Sequence, residues 1–381
     1  MRTTLLLCAC ALSLTAAEPT FKAVDVDTKV EIGYGVTVAD VNGDKKPDIL
    51  LADKNLIVWY ENPSWTKHII AEKLTKQDHV CIAAADVDGD GKAEVAVGAE
   101  WNPGDTVNSG AVFYLLAPED RTQKWEAIPL HHEPTVHRMR WVNGNLIVVP
   151  LHGRGNKAGA GAGVKILAYR KPADVKQPWP TEVLDETLHM THNLDPVQWD
   201  TDPEKEMLIA SKEGVFLLKN KKLSQLSGTQ SAGAGEVRLG KLANGKLFFA
   251  TVEPMHGTNL VVYREAEVGL GAHRENVWIR KVLDSTLVDG HALACGDLAK
   301  SGSDQIVVGW RAMGKPGVKV GIKMFTPQDN EGKEWKETLV DDNKMACEDL
   351  TLADLDGDGR LDIVAAGRAT KNLKIYWNGA R

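Results

Sequence analysis

Polar and apolar positions along this chain fall into short alternating runs, a period of two that specifies β-strands and not helices. One unit recurs at roughly 45–57 residues, the spacing of propeller blades. Each copy opens with a strand of small residues, passes an Asp/Gly turn, and returns through an apolar strand such as Asp48 to Ala52 or Glu94 to Gly98. A third strand mixes aliphatic and aromatic residues, as in Leu56 to Tyr60, Ala111 to Tyr114, Val164 to Tyr169, Leu260 to Tyr263 and Leu373 to Trp377. The fourth often begins at Trp and ends in aliphatics: Trp65 to Ile70, Trp125 to Leu130, Trp278 to Leu283 and Trp335 to Val340.

Seven first strands are expected near Tyr34, His79, His137, His192, Glu236, His291 and Glu348. The seventh copy ends after its third strand at Trp377, and Phe21 to Val26 has the alternation needed to supply the missing outer strand. Pairing the two ends closes the ring and leaves only short protected edges. The expected fold is all-β, a single propeller of seven four-stranded blades over residues 18–381. The fourth copy, with Lys219 to Leu226, is the shortest, and without it the count falls to six.

Residues 1–17 have a basic start at Arg2, an apolar run from Leu5 to Leu14 and small residues at Thr15, Ala16 and Ala17. This is the pattern of a secretory signal peptide, too short to anchor in a bilayer. A secreted or periplasmic location is expected, with no later transmembrane run. Leu7-Cys8-Ala9-Cys10 partly resembles a lipid-attachment box, but the apolar stretch continues past Cys10, which favours cleavage over lipidation. The formal net charge of -7 and the lack of a basic block argue against nucleic acid or anionic lipid as partners. Cys81, Cys295 and Cys347 lie in apolar inner-strand segments and read as packed thiols.

Three first turns share one pattern: Asp40-Val-Asn42-Gly-Asp44-Lys-Lys46-Pro-Asp48, Asp86-Val-Asp88-Gly-Asp90-Gly-Lys92-Ala-Glu94 and Asp354-Leu-Asp356-Gly-Asp358-Gly-Arg360-Leu-Asp362. Oxygen donors at positions one, three, five and nine, with the main-chain carbonyl of position seven (Lys46, Lys92 or Arg360), supply the hard ligands that calcium requires. Position nine already lies in a strand, which separates the pattern from an EF-hand. The loops resemble the FG-GAP or VCBS propeller repeat of integrin α-subunit heads and many bacterial exported proteins. That resemblance implies three calcium ions. Asp297 to Asp304 is a degenerate relative with too few donors, and the turns at Asn143-Gly144, Asp200 to Pro203 and Asn244-Gly245 also lack the set.

In an up-and-down blade the calcium turns lie on one face, whereas the starts of the first strands and the second-to-third loops share the other. His79, His137, His192, Glu236, His291 and Glu348 begin first strands of different blades and converge on a central well. Imidazoles and carboxylates brought together in this way point to a metal or acid/base site. The surrounding loops add Trp101, His152, Arg154, His256, Trp310 and Arg311, groups suited to a hydroxyl-rich or carboxylated carbohydrate. The Gly-rich segment 153–163 is expected to form a mobile flap on this face.

No nucleophile elbow or HExxH helix is present. His132 to Trp141, Thr191 to Asp195 and Asp289 to Ala292 are similar to segments of the propeller domain of aldos-2-ulose dehydratase and related bacterial proteins. The resemblance implies a central divalent metal of zinc or manganese type and β-elimination on a keto-sugar or oxidised glycoside. On that basis His137, His192, His291 and Glu236 are assigned as metal ligands, His79, His256 and Glu348 as acid or base, and Trp101, Arg138, His152, Arg154, Trp310 and Arg311 as substrate contacts. The rival reading is a non-catalytic propeller that binds glycan or protein at the same mouth.

Overall fold

A computed structural model describes residues 18–227, 233–270, 273–314 and 316–379, so the expected leader at 1–17 lies outside the described residues. Among the described residues all regular elements are strands, in seven antiparallel sheets of four. Blade 1 comprises Gly35–Ala39, Asp48–Ala52, Leu56–Glu61 and Thr66–Glu72. The inner strands of blades 2 to 7 are Cys81–Ala85, Val136–Val142, Thr191–Val197, Glu236–Lys241, Gly290–Gly296 and Cys347–Ala353. Blade 4 is a complete blade, its outer strand being Lys222–Gln225. Blade 7 takes its outer strand from the other end of the chain, Phe21–Asp27, with Phe21 opposite Asn378 and Ala23 opposite Tyr376.

Second strands such as Asp48–Ala52 and Asp362–Gly367 are buried along their whole length, because both faces pack on neighbouring blades. The core is accordingly divided into slabs between blades. One slab joins Val36, Leu51 and Val58 of blade 1 to Val364, Leu373 and Ile375 of blade 7, so the seam is packed like the other blade interfaces. Cys81 and Cys347 fill space left by glycine: a Cβ on Gly98 or Gly309 would stand 2.5 Å from their respective Sγ atoms. Among the described residues no helix is long and apolar enough to cross a membrane.

Candidate metal centre in the axial well

The inner strands carry four β-bulges, between Val136 and Arg138, Thr191 and Asn193, Gly290 and Ala292, and Cys347 and Asp349. Each bulge holds one residue of the well: His137, His192, His291 or Glu348. A bulge leaves one residue unpaired and re-aims its side chain, which is how a strand that packs on both faces can still present a functional group to the axis. His256 arrives differently, from the second-to-third loop of blade 5, at a positive φ of 53°.

His192, His256 and His291 offer ring nitrogens that lie within 4.8 Å of one another. Their ring centroids are 4.6, 4.9 and 5.2 Å apart. His192 donates Nδ1–H to the Gly235 carbonyl at 2.8 Å, and His291 donates Nδ1–H to the Glu348 carbonyl at 2.5 Å. Both bonds assign the proton to Nδ1 and leave Nε2 as a lone pair facing the cluster, the usual preparation of a ligating histidine. His256 Nε2 is 2.7 Å from His192 Nε2. On its other side, His256 Nδ1 accepts from Arg311 Nη2 at 3.4 Å and stands 3.7 Å from Asp289 Oδ1, so the proton of this ring sits on Nε2 and is donated to His192. Burial holds all three imidazoles below their ordinary pKa, with nearby Arg311 adding to it, and His256 is pushed down to about 3. They are therefore neutral, the form that binds metal.

The three clustered histidines differ from the sequence-based ligand set in one member. His256 joins His192 and His291, while His137 stands beside them, 4.5 Å from His192 by ring centroid and stacked on Trp101 at 4.7 Å. His137 Nε2 is buried without a partner, and burial followed by Arg138 keeps its pKa well down. Glu236 is not positioned as a fourth ligand: Oε1 lies 3.2 Å from the outward Nδ1 of His192, and Oε2 accepts from Asn193. Glu348 is clamped through Oε1 by Arg311 at 2.7 Å and Arg368 at 3.0 Å, leaving Oε2 buried and unpartnered.

Other predicted contacts fall elsewhere. His79 is fully buried, accepts the Leu74 N–H at 3.3 Å and makes no ring contact with the cluster. Trp310 is 7% exposed within the slab between blades 5 and 6, its indole N–H donating to the Lys319 carbonyl, so it has no free face for a sugar. Arg138 is buried and donates to the His137 carbonyl. Arg154 is committed to Glu133 and the Val107 carbonyl, and His152 is buried beside Thr135. Residues 153–163 form a pinned loop and not a free flap: Asn156, 1% exposed, donates to the Ala162 and His189 carbonyls, and Lys212 donates to that of Ala158.

Below the histidines runs a belt of which the sequence reading assigned only Arg138 and Glu236 to the site. Arg138, Arg140 and Arg238 each donate one Nη1 to the carbonyl of the preceding residue. Glu236 and Asp349 are buried among them and Asp195 is half-buried, with burial pushing the pKa values of all three up and the arginines pulling back. The signal was available in the period-two spacing of Arg138/Arg140, Asn193/Asp195 and Glu236/Arg238 on the inner strands.

The acidic turns lie at the far ends of the inner strands, a strand length or roughly 20 Å from the histidines. In each, the position-one carboxylate accepts the N–H groups of positions four and six: Gly43 and Lys45, Gly89 and Gly91, Gly357 and Gly359. Carboxylate oxygens of Asp86, Asp88 and Asp90 converge within 4.8 Å, as do those of Asp354, Asp356 and Asp358. Position nine is buried in each, and burial pushes Asp48 and Asp362 up to about 6, with neighbouring carboxylates adding to the rise. A cavity of about 660 Å³ belongs to neither site and lies between the outer parts of blades 3 and 4, where Ile147, Leu184 and Met207 face Glu206 and Lys219.

The architecture defines a seven-bladed β-propeller. The chain carries FG-GAP repeats: the FG-GAP-like repeat model matches residues 40–97 and the FG-GAP repeat model residues 82–115, which hold the first two acidic turns. No curated protein matches the sequence. Among solved structures, a chain of the mitotic checkpoint complex is similar with TM-score 0.59 at 12% identity, over 99% of this chain and 98% of that one. A glucose dehydrogenase is similar with TM-score 0.52 at 12% identity, over 94% and 99%. The extracellular domain of a putative one component system from B. thetaiotaomicron gives TM-score 0.53 at 8% identity, over 93% of this chain and 39% of that chain. At these identities the likeness is one of fold alone.

Proposed function

We propose that the protein is an exported propeller with calcium in three blade turns and a divalent transition metal of zinc or manganese type in its well, acting on a carbohydrate by β-elimination. The observation that carries the reading is the convergence of three neutral imidazoles from blades 4, 5 and 6, two of them, His192 and His291, oriented by backbone carbonyls. His192, His256 and His291 would hold the metal. When bound, a divalent ion supplies Lewis acidity to the carbonyl oxygen of a keto-sugar or oxidised glycoside. Glu348 Oε2, fixed by two guanidinium groups on its other oxygen, takes the proton from the carbon beside that carbonyl. His137 accepts an N–H from Arg138 at Nδ1 and so carries its proton on Nε2, from which it would donate a hydrogen bond to the departing β-oxygen, while the proton that oxygen takes up is the one Glu348 has just gained. The C–H proton goes to the carboxylate, its electrons form the C=C bond, and the C–O bond breaks with release of water or an alcohol.

The turns fit calcium by their donor set and by the raised pKa of buried Asp48 and Asp362, which a cation would relieve. Atomic-emission analysis should find calcium plus one transition metal per chain. Keto-sugars and oxidised glycosides should yield an ultraviolet-absorbing enone, with His192→Ala abolishing both central metal and turnover. Retained elimination in that variant would sink the assignment. Calcium removal should lower the melting temperature, because the ion binds only the folded ring.

A further inference from the structure

Two more blades repeat the acidic turn with a different group at its centre. In blade 6, Asp297 to Gln305 keeps the backbone shape, with Lys300 and Gly302 at φ 51° and 81° where blade 2 has Gly89 and Gly91, both at 82°. Asp297 accepts the N–H groups of Ser301 and Gly302. Position nine is Gln305, whose Nε2 donates to the Ser303 carbonyl at 2.7 Å. That is the position-seven carbonyl, so an amide N–H stands where the cation of the other turns would.

Blade 4 goes further. Counted back from Glu206, the first residue of its second strand, the turn is Gln198-Trp-Asp200-Thr-Asp202-Pro-Glu204-Lys-Glu206. Trp199 N–H donates to Glu206 at 3.2 Å, as Val41 N–H does to Asp48 at 2.9 Å. The carboxylates of positions three, five and nine converge within 4.8 Å. Lys219, at the end of the third strand, is ion-paired with all three: with Asp200 in close contact, with Asp202 at 3.3 Å and with Glu206 at 3.1 Å. Pro203 occupies position six, where the left-handed bend of the other turns is closed to it. Lys171, by contrast, reaches blade 2 from blade 3 and meets only Asp88 at 2.8 Å and Glu94 at 3.5 Å.

We infer that Lys219 is the resident cation of blade 4. Its ammonium holds Asp200, Asp202 and Glu206 together as a divalent ion holds the turns of blades 1, 2 and 7, so this blade, which carries His192, stays closed without calcium. The comparison rests on the calcium reading of those three turns, but the Lys219 assignment is tested separately. The full-length protein, stripped of metal and dialysed against millimolar calcium, is compared with Lys219→Met. The variant should bind one more calcium per chain than the wild type, and its calcium-induced rise in melting temperature should be larger by about 1–5 °C. Terbium luminescence excited through the adjacent Trp199 should increase in parallel. No added equivalent in a folded variant would overturn the inference. Asp200→Asn with Asp202→Asn decides the case if Lys219→Met does not fold: it should lower stability equally with and without calcium while leaving the wild-type calcium count unchanged. Loss of one equivalent there would show that the native turn holds calcium, and would also overturn it. If the wild type binds no calcium, the reading of the three turns fails, while the difference between variant and wild type still judges Lys219.

Discussion

Acidification should unfold this propeller through its well, and His137 isolates the effect. A histidine kept neutral in the fold binds its proton more readily when the chain is unfolded. Its contribution is therefore complete above the unfolded pKa of about 6.5 and is lost as pH falls below it. His137, His192, His256 and His291 all have lowered pKa values, each with burial as the first cause. Between pH 7.5 and 5, protonation of the unfolded imidazole favours unfolding by about 2 kcal/mol per group, or about 8 kcal/mol for the four. Asp48 and Asp362 act in the opposite direction, since pKa values of about 6 let the fold gain protons over the same range. They return about 1.4 kcal/mol each, roughly 3 kcal/mol in all. Asp195, Glu236 and Asp349 are also pushed up by burial and offset part of the loss. Comparison with His137→Asn largely cancels the carboxylates and reads the imidazole alone. Urea unfolding of metal-stripped protein at pH 7.5 and 5 should show the wild type losing about 2 kcal/mol more than the variant. An equal loss in both, within 0.5 kcal/mol or so, would mean that His137 titrates normally in the fold and would refute the reasoning.

Lys45 occupies position six of its turn at φ 68°, where the other two turns have Gly91 at 82° and Gly359 at 79°. Relief of about 1–2 kcal/mol of left-handed strain, less the backbone entropy of glycine, should make Lys45→Gly more stable by up to about 1 kcal/mol, read as a higher calorimetric midpoint. Asn62 donates Nδ2 to the Pro47 carbonyl of its own turn and the Leu355 carbonyl of blade 7, across the seam where the ring closes. Asn62→Ala should cost about 1–3 kcal/mol and raise amide exchange in Phe21–Asp27 and Asn372–Asn378 before blades 3 to 5. Uniform exchange around the ring would argue against a seam role.

The fold was legible because a propeller is a local code repeated. Alternation, turn glycines and Trp-led outer strands each specify one blade, and the unfinished last copy implied the pairing of Phe21–Asp27 with blade 7. The acidic turns were legible because their groups lie within nine consecutive residues. Blade 4 shows the limit, since the ammonium that pairs with its three carboxylates, that of Lys219, comes from another strand, and the turn alone looked empty. The well shows it again. Its inner-strand residues could be counted in sequence, but the bulges that turn His192 and His291 to the axis, and the loop that brings His256 in place of His137, arise only when seven sheets are packed into a ring. Alternation determines that a strand has two faces; which face looks down the axis, and which group meets which across five blades, is decided by closure.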